Sequence, residues 1–282
     1  MLAVFGTAAR MEGLKMRTQY VHGYSPAEEV RLLDQASTLT ELLHGDTAYP
    51  SGSLVLEAGC GVGAQTLTLA AKSPRANFVS IDLSEDSLAQ ARARAEAADL
   101  RNVAFRRADV FSLPFPEAHF DHVFVCFVLE HLASPEKALS ELLRVLKPGG
   151  SLTAIEGDHG SAHFHPESAD AQRAIRCLVE LQRRAGGDAL IGRRLYPLLT
   201  EAGLRDVRVS PRLVYVDASR PALVDGFIRK TFTAMVEAVG EQAIREGLMD
   251  AESWHKGIEA LYRTAESGGT FCYTFFKAAG AK

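Results

Sequence analysis

The sequence predicts a doubly wound α/β fold, and three patterns agree on it. From Ser53 onward, short β-branched runs alternate with helical patterns, as in βαβ units built around a parallel sheet. An apolar strand, Val55-Leu56-Glu57-Ala58, runs directly into the glycine-rich turn Gly59-Cys60-Gly61-Val62-Gly63. Acidic residues then close successive strands, at the carboxyl ends where ligands of open α/β sheets bind.

The expected strands are Leu54–Glu57, Asn77–Ile81, Val103–Arg107, His122–Phe127 and Ser151–Glu156, with Asp206–Val216 and Thr270–Lys277 following late. Ser84 reads as an N-cap, because Glu85 and Asp86 put acids in the first turn, against the positive end of the helix dipole. Pro135 begins another helix, which runs to Leu146 and stops at Lys147-Pro148-Gly149-Gly150. A helix cannot continue through Pro and Gly, so these four residues predict a turn feeding the fifth strand. Residues 1–52 form a helical lead-in, 53–157 the core of the sheet, and 158–282 the remaining strands. Helical insertions at about 160–203 and 219–266 would lie over the strand ends as a lid.

Composition narrows the function. The 282 residues carry a net charge of −4 with no long basic run, so a nucleic-acid partner is not expected. The hydrophobic share of 47% suits a globular core, yet no apolar run reaches the roughly 18 residues of a membrane span. The apolar start, Met1 to Ala9, is too short for a secretory signal. Cys60, Cys126, Cys177 and Cys272 lie far apart without a CxxC pair and read as reduced thiols of a cytoplasmic protein. A homo-oligomer is compatible with all of this.

The glycine turn by itself also satisfies a dinucleotide fingerprint, as Gly59-x-Gly61-x-x-Ala64, with Asp82 near the place of its ribose-binding acid. Glu57 argues otherwise. An acid inside the strand would repel a pyrophosphate, whereas it can pair with a cationic ligand or orient the turn. Asp82 ends the second strand, where a carboxylate can accept both ribose hydroxyls. Asp109 follows the third, placed to accept from an adenine amino group. Each acid alone could be a cap or a surface charge; three at successive strand ends are a pattern.

At these residues the chain resembles the class I S-adenosylmethionine (SAM)-dependent methyltransferases, closely over roughly 53–157, and the menaquinone/ubiquinone C-methyltransferase-like group within them. Glu57, Gly59, Gly61 and Gly63 match that family's Glu-x-Gly-x-Gly-x-Gly turn. Phe120-Asp121-His122-Val123-Phe124-Val125-Cys126-Phe127-Val128-Leu129-Glu130-His131 matches its fourth-strand element, and Leu146-Lys147-Pro148-Gly149-Gly150 its post-helix turn. The resemblance implies a seven-stranded Rossmann-like sheet in the order 3-2-1-4-5-7-6, with the last strand antiparallel. It implies SAM as cofactor, S-adenosylhomocysteine (SAH) as product and a small-molecule acceptor. Asp82 would take the ribose with Leu83 against the adenine, Asp109 the adenine amino group with Val110 beside the ring, and Cys126 would also face the cofactor. A methyltransferase of protein or RNA, a non-catalytic SAM-binding protein and an NAD-dependent oxidoreductase are the alternatives.

Methyl transfer needs an aligned nucleophile, exclusion of water and, for a protonated acceptor, a base. Arg31 and Gln35 lie four apart on one helix face and, with Tyr20 and Tyr24, could close over the cofactor as a flap. The competing reading is a solvated amphipathic helix. Histidine is the usual base near neutrality, and His131, His159 and His163 follow the fourth and fifth strands. His165 and Arg193 are candidates for substrate contact, Arg193 through a guanidinium fork on an anion. Asp158, His159, His163 and His165 match no standard metal-site spacing, so no metal is expected.

Overall fold

The computed structural model describes residues 31, 35 and 38–282; Tyr20 and Tyr24 lie outside the described residues. Eight strands form one sheet: β1 Leu54–Ala58, β2 Asn77–Asp82, β3 Val103–Arg107, β4 Phe120–Cys126, β5 Leu146–Gly157, β6 His163–His165, β7 Arg205–Val216 and β8 Thr270–Ala281. The order is β3-β2-β1-β4-β5-β8-β6, with β7 paired to β8 as well. β1 to β5 run parallel, and β8 is antiparallel to β5, β6 and β7.

The expected order thus holds, with one strand more than the seven implied. The addition is β6, a strand of three residues that follows the fifth and extends the ladder along β8 at Thr270–Cys272. The Lys147–Gly150 turn is absorbed into the start of β5. The β4 ladder is irregular between Phe120 and His122, and Gly149 and Gly150 bond instead to Lys282. β4 ends one residue early because Phe127 turns away with φ of 56°.

Alternation in the strands builds a core on each face of the sheet. Val55, Phe78, Phe124 and Ile155 face the side covered by Leu39 and Leu43 of the lead-in helix, by helix Ala64–Lys72 and by helix Ala169–Arg184. Leu56, Val123, Val125, Leu152 and Ala154 face helices Pro135–Val145 and Leu195–Glu201. Ser84 caps helix Glu85–Ala97 by accepting from the Ser87 amide. The lead-in is tied down through Lys277 of β8, whose Nζ donates to Asp46 and Thr47 at 2.6 Å each.

The second insertion includes a ten-residue π-helix, Val224–Thr233, followed by helix Ala234–Glu237. Phe227, Phe232 and Met235 of this stretch are buried in the first core. Among the described residues no helix is long and apolar enough to cross a membrane.

Candidate active site

In-register pairing of parallel strands brings their carboxyl ends to one edge. Ala58 of β1 pairs with Ile81 of β2 and Val125 of β4, and Cys126 of β4 with Ile155 of β5. The loops that follow enclose a cavity of about 260 Å³.

The glycine turn forms one wall. Gly59 and Cys60 both donate to the Ile81 carbonyl, at 2.8 and 2.9 Å. Gly59 has φ of +75°, and a Cβ there would stand 2.4 Å from Val128 Cγ2, so only glycine fits. The Asp82 carboxylate is held by two amides: Gly61 donates to one oxygen at 2.8 Å and Ser84 to the other at 2.9 Å. Each oxygen keeps a further lone pair for a ligand. Burial lifts the Asp82 carboxyl above the ordinary carboxylate range, opposed by these amides. Beside it Leu83 is 54% exposed, an apolar side chain on the cavity wall.

Glu57 lies behind this wall. Its Oε2 accepts from Thr66 and Ser80 at 2.6 Å each, so the buried carboxyl ties β1 to helix Ala64–Lys72 and to β2. Burial pushes it up to about 7, against the hydrogen bonds from Ser80 and Thr66. An unfolded glutamate titrates at about 4.3. The folded state therefore holds the proton over a range where the unfolded chain has lost it, and stability falls as pH rises through that range. The shift corresponds to about 4 kcal/mol once pH exceeds the folded value. Glu57→Gln cannot ionise, so its stability relative to wild type should grow from about pH 5 to about pH 8. Urea unfolding at both pH values reads this, and a constant difference would move the effect to other groups.

The opposite wall is aromatic. Phe127, Phe227, Phe232, Tyr273 and Phe275 line it, from the end of β4, the π-helix and β8. Phe127 sits at φ of 56°, a strained setting for a bulky residue. Glu156 holds the turn by accepting from the Val128 and Leu129 amides at 3.1 and 2.8 Å. Its other oxygen is buried without a hydrogen-bond partner among the described residues, and burial beside Glu130 raises the carboxyl well above the ordinary range. Glu130, His131 and His159 complete the cavity, and His159 Nδ1 lies 2.7 Å from the Tyr273 hydroxyl.

A family profile described as "Methyltransferase domain" matches residues 56–154. The demethylmenaquinone methyltransferase of Thermus thermophilus is 43% identical over 161 residues, 47% of this chain and 73% of that protein.

The chain belongs to the class I SAM-dependent methyltransferases.

An uncharacterized 37.1 kDa protein of transposon Tn4556 in Streptomyces fradiae is 32% identical over 244 residues, 83% of this chain and 66% of its length. The chain spans about half the length of other curated relatives it matches. Among solved structures, phosphoethanolamine N-methyltransferase 2 of Haemonchus contortus in complex with SAM shares the fold at a TM-score of 0.53 and 17% identity, over 87% of this chain and 52% of that one.

In this methyltransferase Arg31, Gln35, Gly59, Gly61, Asp82, Leu83, Val110 and Cys126 gather on the cavity wall. Arg31 donates to Gln35 at 3.0 Å, both buried, which disfavours the reading of a solvated helix. Gly63 instead packs its backbone on Ala91 of the next helix. Asp109 is exposed just outside the cavity, accepting from the Phe111 amide at 2.9 Å.

Three expectations need correction. His163 and His165 occupy alternate, exposed positions of β6, while Phe164 between them stacks on Phe271, 6.0 Å between centroids. The two-residue strand period turns both histidines away from the cavity. Arg193 carries its ligand already: Nε and an Nη donate to the two Asp158 oxygens at 2.7 Å each. That side-on pair holds the guanidinium against Asp158, and Arg193 is not among the residues that line the cavity. Sequence reasoning also missed the aromatic wall, Glu156 and Tyr273. Glu156 stood at the carboxyl end of an expected strand, but Tyr273 looked like any strand aromatic.

Proposed function

We propose that this methyltransferase binds SAM along the glycine turn and moves its methyl group to a small, flat, mostly apolar acceptor seated on the aromatic wall. One continuous cavity carries the reading, since it joins Asp82 and Leu83 to Phe127, Phe227, Phe232 and Phe275. The sheet order separates the two sets, with β2 on one side of β1 and β8 beyond β4 and β5. A polar nucleoside and an apolar acceptor can then meet over the ends of β1 and β4.

The donor set fits the cofactor: open backbone at Gly61, a clamped carboxylate at Asp82 and an apolar shelf at Leu83. Asp82 receives the ribose hydroxyls, Leu83 and Val110 flank the adenine, and Asp109 accepts from its amino group. Gly59 and Gly61 admit the ligand to the backbone, while Glu57 and Gly63 keep the turn in shape. Cys126 lies against the cofactor, and Arg31 and Gln35, with Tyr20 and Tyr24, close over it. Residues 1–52 then act as flap, 53–157 as the cofactor core, and 158–282 as the rest of the sheet with its lid. SAM supplies a methyl group on a sulfonium, so positioning does much of the work. His159 is the base for a protonated acceptor, with His131 beside it. The name of the Thermus relative agrees with a small apolar acceptor. Four free thiols suit the reducing cytoplasm.

SAM and SAH, but not NAD, should raise the melting temperature, because a ligand that binds the native state stabilises it by mass action. Asp82→Ala should weaken SAH binding by about 1–3 kcal/mol, the usual loss for hydrogen bonds to a charged group. Calorimetric titration measures it, and unchanged affinity would remove the ribose role.

A further inference from the structure

We propose that Tyr273 is a further catalytic residue, whose hydroxyl holds an acidic hydroxyl of the acceptor and passes that proton to His159. The inference rests on the reading above, in which the cavity takes SAM and a flat apolar acceptor.

Tyr273 is 2% exposed, yet it lines the cavity, and it is the one Phe or Tyr of the aromatic wall that bears a polar atom. The position of that atom is fixed by its surroundings. His159 Nδ1 lies 2.7 Å away. A Cβ added at Gly157 would stand 2.4 Å from the hydroxyl, so a side chain there is excluded. The rings of Phe227, Phe232 and Phe275 surround the phenol ring at centroid distances of 5.8, 5.5 and 4.7 Å. A tyrosine hydroxyl has one donor and two acceptor sites, so a bond to His159 leaves capacity for a ligand. In a wall of phenylalanines this is where a hydroxyl of an otherwise apolar acceptor finds a partner.

His159 is the destination of the proton. The groups that face it are Glu130 and His131 from the turn after β4, Arg31 from the lead-in and Tyr273 from β8. Burial pushes its titration down and His131 and Arg31 act the same way, while Glu130 favours the charged ring. A neutral ring therefore waits beside a carboxyl able to stabilise the imidazolium that forms. Glu130 is itself held by Gln182, whose amide donates to its carbonyl at 3.0 Å. Burial, with Glu130, Asp158 and Glu156 around it, raises the Tyr273 phenol well above its ordinary value. Tyr273 is thus a conduit and His159 the base.

The acceptor O–H gives its proton to Tyr273 Oη while the Tyr273 proton moves to His159 Nδ1, in the tautomer that carries Nε2–H. The freed oxygen pair forms the O–CH₃ bond, and the C–S bond breaks with its electrons left on sulfur. His159 ends the step as imidazolium and returns its proton to water after product release.

The test uses 4-nitrophenol, whose neutral and ionised forms absorb at different wavelengths, with wild type, Tyr273→Phe and His159→Asn, all loaded with SAH. Wild type should bind the probe with a ratio of ionised to neutral form about tenfold higher than either variant at the same pH, because only wild type offers the proton a path to a base. SAH affinity should match in all three, which separates the relay from a general loss of structure. Equal ionisation in wild type and Tyr273→Phe would overturn the proposal, as would failure of SAH-loaded wild type to bind the probe. Failure of SAH itself to bind, seen before any probe is added, would overturn the cofactor reading and the proposal with it.

Discussion

His159→Ala is expected to lower the turnover number by about 10²–10⁴ while SAM affinity stays the same, the usual size of a lost general base. The ring is buried on the cavity wall and bonded to Tyr273, so it bears on the acceptor and not on the cofactor-binding turn. The pH profile carries a second signature. A base works only when unprotonated, so activity falls as pH drops through its titration. Burial holds His159 below the ordinary histidine value of about 6.5, so the acid limb should lie below that point. His163→Ala and His165→Ala serve as controls, since both side chains are exposed on β6 outside the cavity, and both should keep wild-type turnover. Near-normal turnover of His159→Ala under saturating SAM would leave positioning alone as the source of rate.

Gly59→Ala should damage stability and cofactor binding together. The left-handed backbone costs a non-glycine residue about 1–2 kcal/mol. The new Cβ, 2.4 Å from Val128 Cγ2, adds an overpacking cost of about 1–3 kcal/mol. Val128 has little room to yield: its amide is bonded to Glu156, and Phe127 before it is already at positive φ. At about 2–4 °C per kcal/mol, the melting temperature should fall by several degrees or more. SAH binding should weaken too, because Gly59 lines the cavity. Gly61→Ala, with nothing within 4 Å of its Cβ in the free protein, should cost stability only through its backbone. If Gly59→Ala melts and binds SAH like wild type, the turn does relax and the close contact has no energetic role.

Much of the fold was legible because its signals are local. A strand of Val55-Leu56-Glu57-Ala58 followed by three glycines can be read in a window of nine residues, and so can the Ser84 cap. The carboxyl-end acids follow the same logic, since strand ends are marked by the end of a β-branched run. Asp82 accordingly lies on the cavity wall. Asp109, read with the same logic, is found just outside it, because the turn after β3 bends its side chain onto the Phe111 amide.

The histidines mark where local reading stops. His159, His163 and His165 fall within seven residues, and nothing in their spacing ranks them. Their separation depends on β8, more than a hundred residues later: Phe271 and Cys272 pair with β6 and turn two histidines outward, while Tyr273 meets the third. Arg193 is the same case, since its partner Asp158 lies 35 residues away.

The sequence by itself determined the alternation of strands and helices, the glycine turn and the strand-end acids, since each is written in residues adjacent along the chain, and the sheet order and class of chemistry followed from the family resemblance that those residues carry. Tertiary structure alone decided the aromatic wall, on which the acceptor is proposed to sit. Phe127, Phe227, Phe232, Tyr273 and Phe275 come from three distant segments. The requirement to bury them against one another converts five ordinary hydrophobic positions into one wall. The single polar atom on that wall is visible only once the chain has folded.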